Sequence, residues 1–133
     1  MLVQQLPIYN KTRQFVRDYI CVYEKMRNLH KHRLGAYIYD KALGLSWYLK
    51  KANRNVSDAS VRNAYIEDFL DELDSVVNGV RLAYECRIID VKAHARLSGY
   101  LVEIGKQATA WKNGRPKDNQ LDCQQSKDVG REP

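Results

Sequence analysis

Three histidines are the side chains in this sequence best suited to bind a transition metal or to transfer a proton at neutral pH. His30 and His32 stand two residues apart near a predicted helix end. His94 lies far along the chain, on another predicted helix, without an evident carboxylate partner. Because a metal site needs several convergent ligands, this spacing predicts surface and helix-end histidines and no metal site.

The other groups that support catalysis are also poorly placed. The cysteines are odd in number and contain no close pair, which fits neither a disulfide framework nor a four-cysteine zinc site: Cys21, Cys86 and Cys123. The carboxylates of the third predicted helix form a solvated face rather than a recessed acid–base pair. No glycine-rich loop follows a strand, which excludes nucleotide hydrolysis and dinucleotide binding. We predict reduced thiols, no cofactor and no enzyme activity.

One row of the second predicted helix combines an aromatic ring with cations. Trp47 is followed on the same side of the helix by Lys50, Lys51 and Arg54. Such a row stacks unpaired bases while it neutralises phosphates, as single-strand binders do. The same row also fits an interface with another subunit or partner, or incidental exposure, and the sequence leaves these three interpretations open.

Charge is distributed unevenly along the chain, which has a net charge of +6. Residues 11–54 hold eleven Lys and Arg against three acids, residues 55–90 hold three against eight, and residues 91–112 hold four against one. Such a layout lets a folded body present a cationic face to a phosphate-bearing or otherwise anionic partner, while the acidic stretch either neutralises part of that face internally or supplies the complementary face for another copy. From charge placement we add Arg13 and Arg17 to the candidate binding residues Lys50, Lys51 and Arg54.

The 133 residues, 44% of them apolar, are enough for one folded domain with a core. No apolar run approaches the roughly 18 residues of a membrane span, and residues 1–10 do not resemble a secretory signal. We expect a cytoplasmic protein that does not enter a membrane. Residues 1–112 are predicted to form the domain, and the polar residues 113–133 a disordered tail.

Proline occurs at positions 7, 116 and 133, so the interval 8–115 is free of the strongest helix breaker. Four apolar stripes at three- and four-residue spacing predict four helices, which begin near Pro7, Leu34, Asp58 and Asp90, with Ser57 as an alternative cap of the third. The first should stop between residues 28 and 32. Because short connections make sequential helices antiparallel, we predict an all-α, up-down-up-down four-helix bundle.

Several apolar side chains fall outside these stripes. Leu43 and Trp47 lie on the side of the second helix opposite its core stripe, and four residues widen the apolar arc of the first helix: Tyr9, Val16, Ile20 and Tyr23. A single bundle is not expected to bury them. Exposed apolar groups of this size indicate a protein interface, so we predict a homo-oligomer with Leu43, Trp47, Ile20 and Tyr23 at its subunit contacts.

Two further expectations concern residues within the helices. Arg62 and Arg87 map to the apolar side of the third helix near its ends, where a guanidinium extends to solvent or finds a ligand. Gly105 on the fourth helix is the strongest candidate for a close approach between elements, since glycine in a helix interior costs about 1 kcal/mol relative to alanine.

The order and spacing of four segments resemble a known bacterial family over about residues 6–112. The segments are Leu6-Pro7-Ile8-Tyr9-Asn10-Lys11-Thr12, the run from Leu34-Gly35 through Ala42-Leu43 to Ala52-Asn53, Val80-Arg81-Leu82-Ala83, and Leu101-Val102-Glu103-Ile104-Gly105-Lys106-Gln107 with Trp111. They are similar to four-helix-bundle proteins that include the accessory variability determinants of diversity-generating retroelements and the proteins encoded in intervening sequences of 23S ribosomal RNA genes.

In its retroelement branch, this resemblance implies a homopentamer with a basic surface that binds the element's reverse transcriptase and RNA or DNA. Such a protein has no chemistry of its own. Arg81 matches a recurrent basic position of the family and completes the candidate nucleic-acid or partner site. The alternative is the intervening-sequence branch, which implies a structural or protein-interaction bundle without affinity for nucleic acid.

Overall fold

The computed structural model describes residues 2–114, and within this range every regular element is helical. The four main helices are α1 (Pro7–Glu24), α2 (Ala36–Arg54), α3 (Ala59–Glu85) and α4 (Val91–Lys112). A 3₁₀ turn (Val3–Gln5) precedes α1, and a helical turn (Asn28–His30) with a π-helical segment (Lys31–Gly35) connects α1 to α2. The predicted tail lies outside the described residues except for Asn113 and Gly114.

Contacts between α2 and α3 show that these two helices run in opposite directions. Trp47 lies against Tyr65, with ring centroids 6.3 Å apart, and Lys41 lies 3.4 Å from Glu72. A step back along α2 therefore matches a step forward along α3, so the helices are antiparallel.

The remaining seams close the bundle in the same way. Lys112 of α4 reaches Glu67 near the start of α3, whereas His94 near the start of α4 stacks on Tyr84 near the end of α3. On the other side, α4 packs against α1, where Arg96 pairs with Asp18 and Lys11 lies over Tyr100. These contacts confirm the predicted all-α, up-down-up-down four-helix bundle.

The core forms where the four predicted stripes meet. Its fully buried large side chains come from every helix: Phe15, Tyr19, Ile38, Leu45, Leu49, Ile66, Phe69, Val76, Val80, Leu97 and Ile104. Tyr9 is also buried within the protomer, at 7% exposure. The expectation that a single bundle would leave Tyr9 uncovered was therefore wrong, because the start of α1 lies deeper in the bundle than its stripe suggested.

Two predicted helix starts are confirmed by their caps. A carboxylate oxygen of Asp58 accepts a hydrogen bond from the backbone N–H of Val61 at 3.3 Å, and one of Asp90 accepts from Ala93 at 2.8 Å. Each bond satisfies a backbone donor of the first helical turn that has no partner inside the helix.

The end of α1 differs from the prediction. The helix stops at Glu24, and the chain becomes extended at Arg27 (φ −63°, ψ 147°). Met26 remains buried at 7% exposure although it lies beyond the helix. The apolar spacing thus continued past the helix end, which is why it predicted a longer helix.

The end of α3 is made by a residue with left-handed backbone geometry, Arg87 (φ 62°). The N–H of Ile88 donates to the carbonyl of Ala83 at 2.8 Å, and the N–H of Arg87 donates to that of Tyr84 at 3.0 Å. This pair of bonds is the Schellman arrangement, which satisfies the last free carbonyls of a helix. The prediction for Arg87 was wrong: it lies beyond α3 and is exposed.

Glycines let α2 and its connection approach their neighbours closely, but Gly105 is not one of them. A Cβ added to Gly79 would lie 2.7 Å from Cγ1 of Ile38, and one added to Gly35 would lie 2.8 Å from Sδ of Met26. At Gly105 the nearest atom would be a methyl of Leu73 at 3.6 Å, an ordinary contact.

None of the helices in residues 2–114 combines the length and the apolar character that crossing a lipid bilayer requires.

Candidate nucleic-acid interface

The outer face of α2 carries the largest exposed aromatic surface near the predicted cations. Trp47 is 53% exposed and Leu43, one turn earlier, is 49% exposed. The Trp47 ring meets Tyr48 and Tyr65 at steep angles, 86° and 77°, and Nζ of Lys51 lies 5.1 Å from its centroid. The indole is therefore held in place by its neighbours while about half of its surface stays in contact with solvent.

Four of the predicted cations lie on the neighbouring outer faces of α1 and α2. Lys50, Arg54, Arg13 and Arg17 are all exposed. Tyr23 and Tyr39 mark the register of these antiparallel helices, with ring centroids 4.9 Å apart. Ten residues back from Tyr23 is Arg13 and eleven residues forward from Tyr39 is Lys50, so these two residues lie at the same level of the bundle. The fold thus brings exposed cations of two adjacent helices to similar levels of the bundle; Arg13, Arg17, Lys50 and Arg54, together with Lys51 and Trp47 of α2, are here called the α1–α2 face.

The two predicted interface residues of α1 are less exposed than Leu43 and Trp47. Tyr23 is half-buried because its ring packs against Tyr39, and Nζ of Lys31 lies 5.8 Å from its centroid. Ile20 is half-buried as well. Contacts inside the protomer account for the burial of Tyr23, so Leu43 and Trp47 remain the better candidates for contact with another subunit.

Arg81 stands apart from the other predicted binding residues. It is exposed on α3, sixteen residues beyond Tyr65, which corresponds to roughly 24 Å along the helix axis at 1.5 Å per residue. It is surrounded in sequence by the exposed acids of α3, which face away from the core: Glu67, Asp68, Asp71, Asp74 and Glu85. The structure does not place Arg81 on the α1–α2 face.

Ion pairs within residues 2–114 lie at the seams between helices rather than on the outer faces. Lys41 pairs with Glu72 at 3.4 Å and Lys112 with Glu67 at 2.9 Å. Arg96 pairs with Asp18 through two hydrogen bonds of 2.6 and 3.1 Å, and these bonds raise the pKa of Arg96. None of the six predicted binding cations is in an ion pair with a described residue.

Sequence reasoning missed a second group of cations, in the connection between α1 and α2. Lys25, Arg27, Lys31 and Arg33 follow one another with no acid between them. Three are accessible at one end of the bundle, Lys31 is half-buried, and none pairs with a carboxylate of the described chain. The signal was present in the sequence as an acid-free basic run, but the run spanned the expected end of the first helix and the link to the second, and it was not considered as a group.

This connection is anchored rather than loose. The hydroxyl of Tyr19, inside the core, donates a 2.7 Å hydrogen bond to the carbonyl of Gly35, and burial raises the pKa of that hydroxyl. The π-helical segment leaves helical geometry at Arg33 (φ −120°, ψ −107°). Short π segments occur often at functional sites. Here the π segment contains Lys31 and Arg33, the last two cations of the basic run.

The histidines and cysteines do not assemble into a site within residues 2–114. No group of three or more His, Cys, Asp or Glu side chains in this range is placed to hold a metal ion. The ring of His94 stacks on that of Tyr84, with centroids 4.4 Å apart and an angle of 11° between the ring planes. Cys21 and Cys86 are exposed, free thiols, and Cys123 lies outside the described residues.

No protein-family model, curated protein or solved structure matches this chain.

Proposed function

We propose that this chain is a non-catalytic accessory subunit that binds nucleic acid and a reverse transcriptase. The observation that carries the proposal is that most of its described Lys and Arg side chains form no ion pair with a described carboxylate. Residues 2–114 contain eighteen Lys and Arg, and three of them, Lys41, Arg96 and Lys112, form ion pairs with described carboxylates. None of the other fifteen forms an ion pair with a described carboxylate, and those on exposed positions can contact an external anion.

A polyanion gains most from cations that lie close together. Binding to several phosphates releases condensed counterions, and this release supplies much of the affinity of nucleic-acid-binding proteins. The α1–α2 face supports the proposal because it combines exposed cations from two helices with a half-exposed indole. An unpaired base stacks on such a ring while its phosphates contact Lys50, Lys51 or Arg54.

The polymerase partner and the pentamer rest on the resemblance of the four sequence segments. Assembly has further support in the exposed apolar surface of Leu43 and Trp47, because monomeric proteins rarely leave neighbouring large apolar groups uncovered. The acidic outer face of α3 also complements the α1–α2 face in charge. A head-to-tail contact between these two faces of successive copies generates a closed ring where the rotation between copies closes, as the proposed pentamer requires, and an open filament where it does not.

A second candidate function is a structural or protein-interaction bundle without affinity for nucleic acid. The same complementarity between the acidic α3 face and the α1–α2 face favours it, since a second copy would then satisfy the cations. This candidate predicts self-association that weakens as salt rises, together with no binding of RNA or DNA at low salt.

Salt-dependent binding tests the primary proposal. We expect single-stranded RNA or DNA to bind at low salt with an affinity that falls linearly on a log–log plot of binding constant against salt. Each phosphate contact contributes about 0.7 to the slope for single strands. Replacing two cations of the α1–α2 face, as Lys50→Gln with Arg54→Gln, should lower the slope by about 1.4.

The matched control is Lys41→Gln with Lys112→Gln, which removes the same charge from seam residues that are already paired. The control should leave the slope nearly unchanged. Equal losses in the two variants would refute a local contact at the α1–α2 face. No binding at low salt, combined with self-association, would favour the structural bundle instead.

The polymerase partner is tested by the neighbouring genes and by co-purification. A reverse transcriptase gene beside this one, with a pair of near-identical repeats that differ at adenines, is the expected arrangement. The encoded polymerase should then co-purify with this chain. Light scattering that finds a monomer at high concentration would overturn the assembly and the interface role of Trp47 together.

A further inference from the structure

A groove opens at the end of the bundle where α1 ends and α4 begins. It has a volume of about 320 Å³, near the lower limit of small-ligand sites, roughly 300–1,000 Å³. Its lining comes from the last turn of α1, the two residues after it, the connection that precedes α4 and the first turns of α4, and it includes Cys21, Lys25, Met26, Ile89, Lys92 and Ala93. None of these residues belongs to the α1–α2 face.

Buried apolar side chains lie at the base of the groove and charged side chains at its rim, and the lining as a whole is more polar than apolar. Met26, Ile89 and Ala93 are buried, whereas Lys25 and Lys92 are exposed and form no ion pair with a described carboxylate. Asp90 also lines the groove, but one of its carboxylate oxygens accepts the hydrogen bond that caps α4. A ligand for this groove therefore needs an apolar body between negative charges.

The surrounding surface extends the cationic rim. Arg27, Lys31 and Arg33 continue from Lys25 along the α1–α2 connection, and Arg87 precedes the groove residue Ile88. Tyr19 and Gly35 anchor this connection from inside the core. Cations thus lie on both sides of the groove, whose base is apolar, at the end of the bundle where the α1–α2 connection is anchored.

A nucleotide without a base-pairing partner has the matching chemistry. Its base is flat and largely apolar on both faces, and its two flanking phosphates are anionic. A base inside a duplex is already stacked, so a duplex offers phosphates alone. Aliphatic side chains suffice as walls for a base, since pockets for extruded bases use apolar as well as aromatic groups.

We propose that this end of the bundle binds one unpaired nucleotide of a single strand, with its base in the groove and its flanking phosphates against Lys25 and Lys92. This inference rests on the proposed nucleic-acid function and adds a second contact, separate from the α1–α2 face. A strand held at both places would be fixed in direction along the bundle.

Alkylation of Cys21 tests the proposal directly, because this thiol is exposed and lines the groove. The full chain is treated with iodoacetamide, and modification of each cysteine is followed by peptide mass spectrometry. With a single-stranded oligonucleotide at about ten times its Kd, Cys21 should react about tenfold more slowly, since only the unoccupied fraction reacts. Cys86, which is exposed but does not line the groove, serves as the internal comparison; because it adjoins the rim residue Arg87, it should be protected much less than Cys21 rather than not at all.

Three other probes separate the sources of protection. Inorganic polyphosphate supplies the charges without a base, a blunt duplex supplies phosphates with stacked bases, and anionic lipid vesicles supply a charged surface. Each should protect Cys21 much less than the single strand does. Equal protection by polyphosphate or duplex would overturn the seating of a base, and protection by vesicles alone would assign the groove to a membrane surface.

Charge variants provide a second measurement. Lys25→Gln with Lys92→Gln should abolish most of the protection of Cys21. The matched control, Lys106→Gln with Lys112→Gln, removes the same charge from positions roughly 21 Å or more beyond Lys92 along the axis of α4. This control should retain the protection of Cys21. An oligonucleotide that binds with an affinity dependent on Lys50 and Arg54 yet leaves Cys21 fully reactive would refute this inference alone. No binding at low salt would refute the proposed function, and this inference with it.

Discussion

Two glycine-to-alanine substitutions make the same chemical change at sites where the structure predicts opposite effects. Gly79 lies inside α3 and Gly99 inside α4. In an open helical position, alanine stabilises a helix by about 1 kcal/mol relative to glycine. A Cβ at Gly99 would meet nothing within 4 Å, so Gly99→Ala should gain most of this amount.

At Gly79 the same methyl group would collide with α2. Its Cβ would lie 2.7 Å from Cγ1 and 3.3 Å from Cδ1 of Ile38, a side chain with 0% exposure. Carbon atoms pack at about 3.5–4.0 Å, so α2 and α3 would have to separate by roughly 0.8 Å or Ile38 would have to adopt a strained rotamer. Overpacking of this kind costs about 1–3 kcal/mol, which exceeds or cancels the helix gain.

We therefore expect Gly79→Ala to be less stable than Gly99→Ala by about 2 kcal/mol, which corresponds to roughly 8 °C in Tm for a domain of this size. Urea and thermal unfolding followed by far-UV circular dichroism measure the difference. In an Ile38→Ala background the colliding carbons are absent, so Gly79→Ala should there become stabilising. Equal gains from the two substitutions in the parent protein would refute the close approach of α2 and α3 at this point.

Three further substitutions test single features of the fold. Thr12→Val should raise the free energy of unfolding by about 1 kcal/mol, because the Thr12 hydroxyl is buried without a hydrogen-bond partner in the described structure. A lower free energy of unfolding in urea would show that the hydroxyl does have a partner. Arg87→Gly should add about 0.5–1 kcal/mol by relieving the left-handed backbone, and unchanged stability would argue against that geometry. Tyr19→Phe should cost about 1 kcal/mol at neutral pH by removing the hydrogen bond from the Tyr19 hydroxyl to the Gly35 carbonyl. Because burial raises the pKa of Tyr19 above its unfolded value, the parent should lose stability as pH rises above about 10, and Tyr19→Phe should lose less over that range, as pH-dependent unfolding would show.

The helices and their core were predictable because burial repeats with the period of the helix. Stripes such as Phe15, Tyr19 and Leu97, Leu101, Ile104 required one buried side on each helix, and short connections then required neighbouring helices to be antiparallel. The caps Asp58 and Asp90 were also readable, since a short acidic side chain before an apolar stripe has few other local uses.

The helix ends were harder to predict because no strong breaker marks them. α1 stops without glycine or proline nearby, and Met26 keeps to the stripe after the helix has ended. The left-handed residue that terminates α3 is Arg87, whereas a glycine at this position would have marked the helix end in the sequence. The close approach at Gly79 and the ordinary contact at Gly105 depend on which helix faces meet, and periodicity within one helix does not contain that information.

For the candidate site, sequence reasoning worked one helix at a time. It identified the outward position of Trp47 and the nearby cations of α2, because both follow from a single helical period. It could not pair Arg13 with Lys50, separate Arg81 from them, or find a groove whose walls come from α1 and α4. These are properties of register between distant segments.

The clustering of cations is not explained by the stability of the fold. The pairs that join helices, such as Lys41 with Glu72, lie at seams, and exposed pairs of this kind contribute about 0–1 kcal/mol each. The unpaired cations of the α1–α2 face and of the connection repel one another and so slightly destabilise the folded chain. Neutralising them should therefore leave unfolding unchanged or make it less favourable, whereas the glycine substitutions should alter unfolding without changing the charge. The two sets of variants separate the scaffold from its surface, and the proposed anionic partner would account for a charged surface that the scaffold does not need.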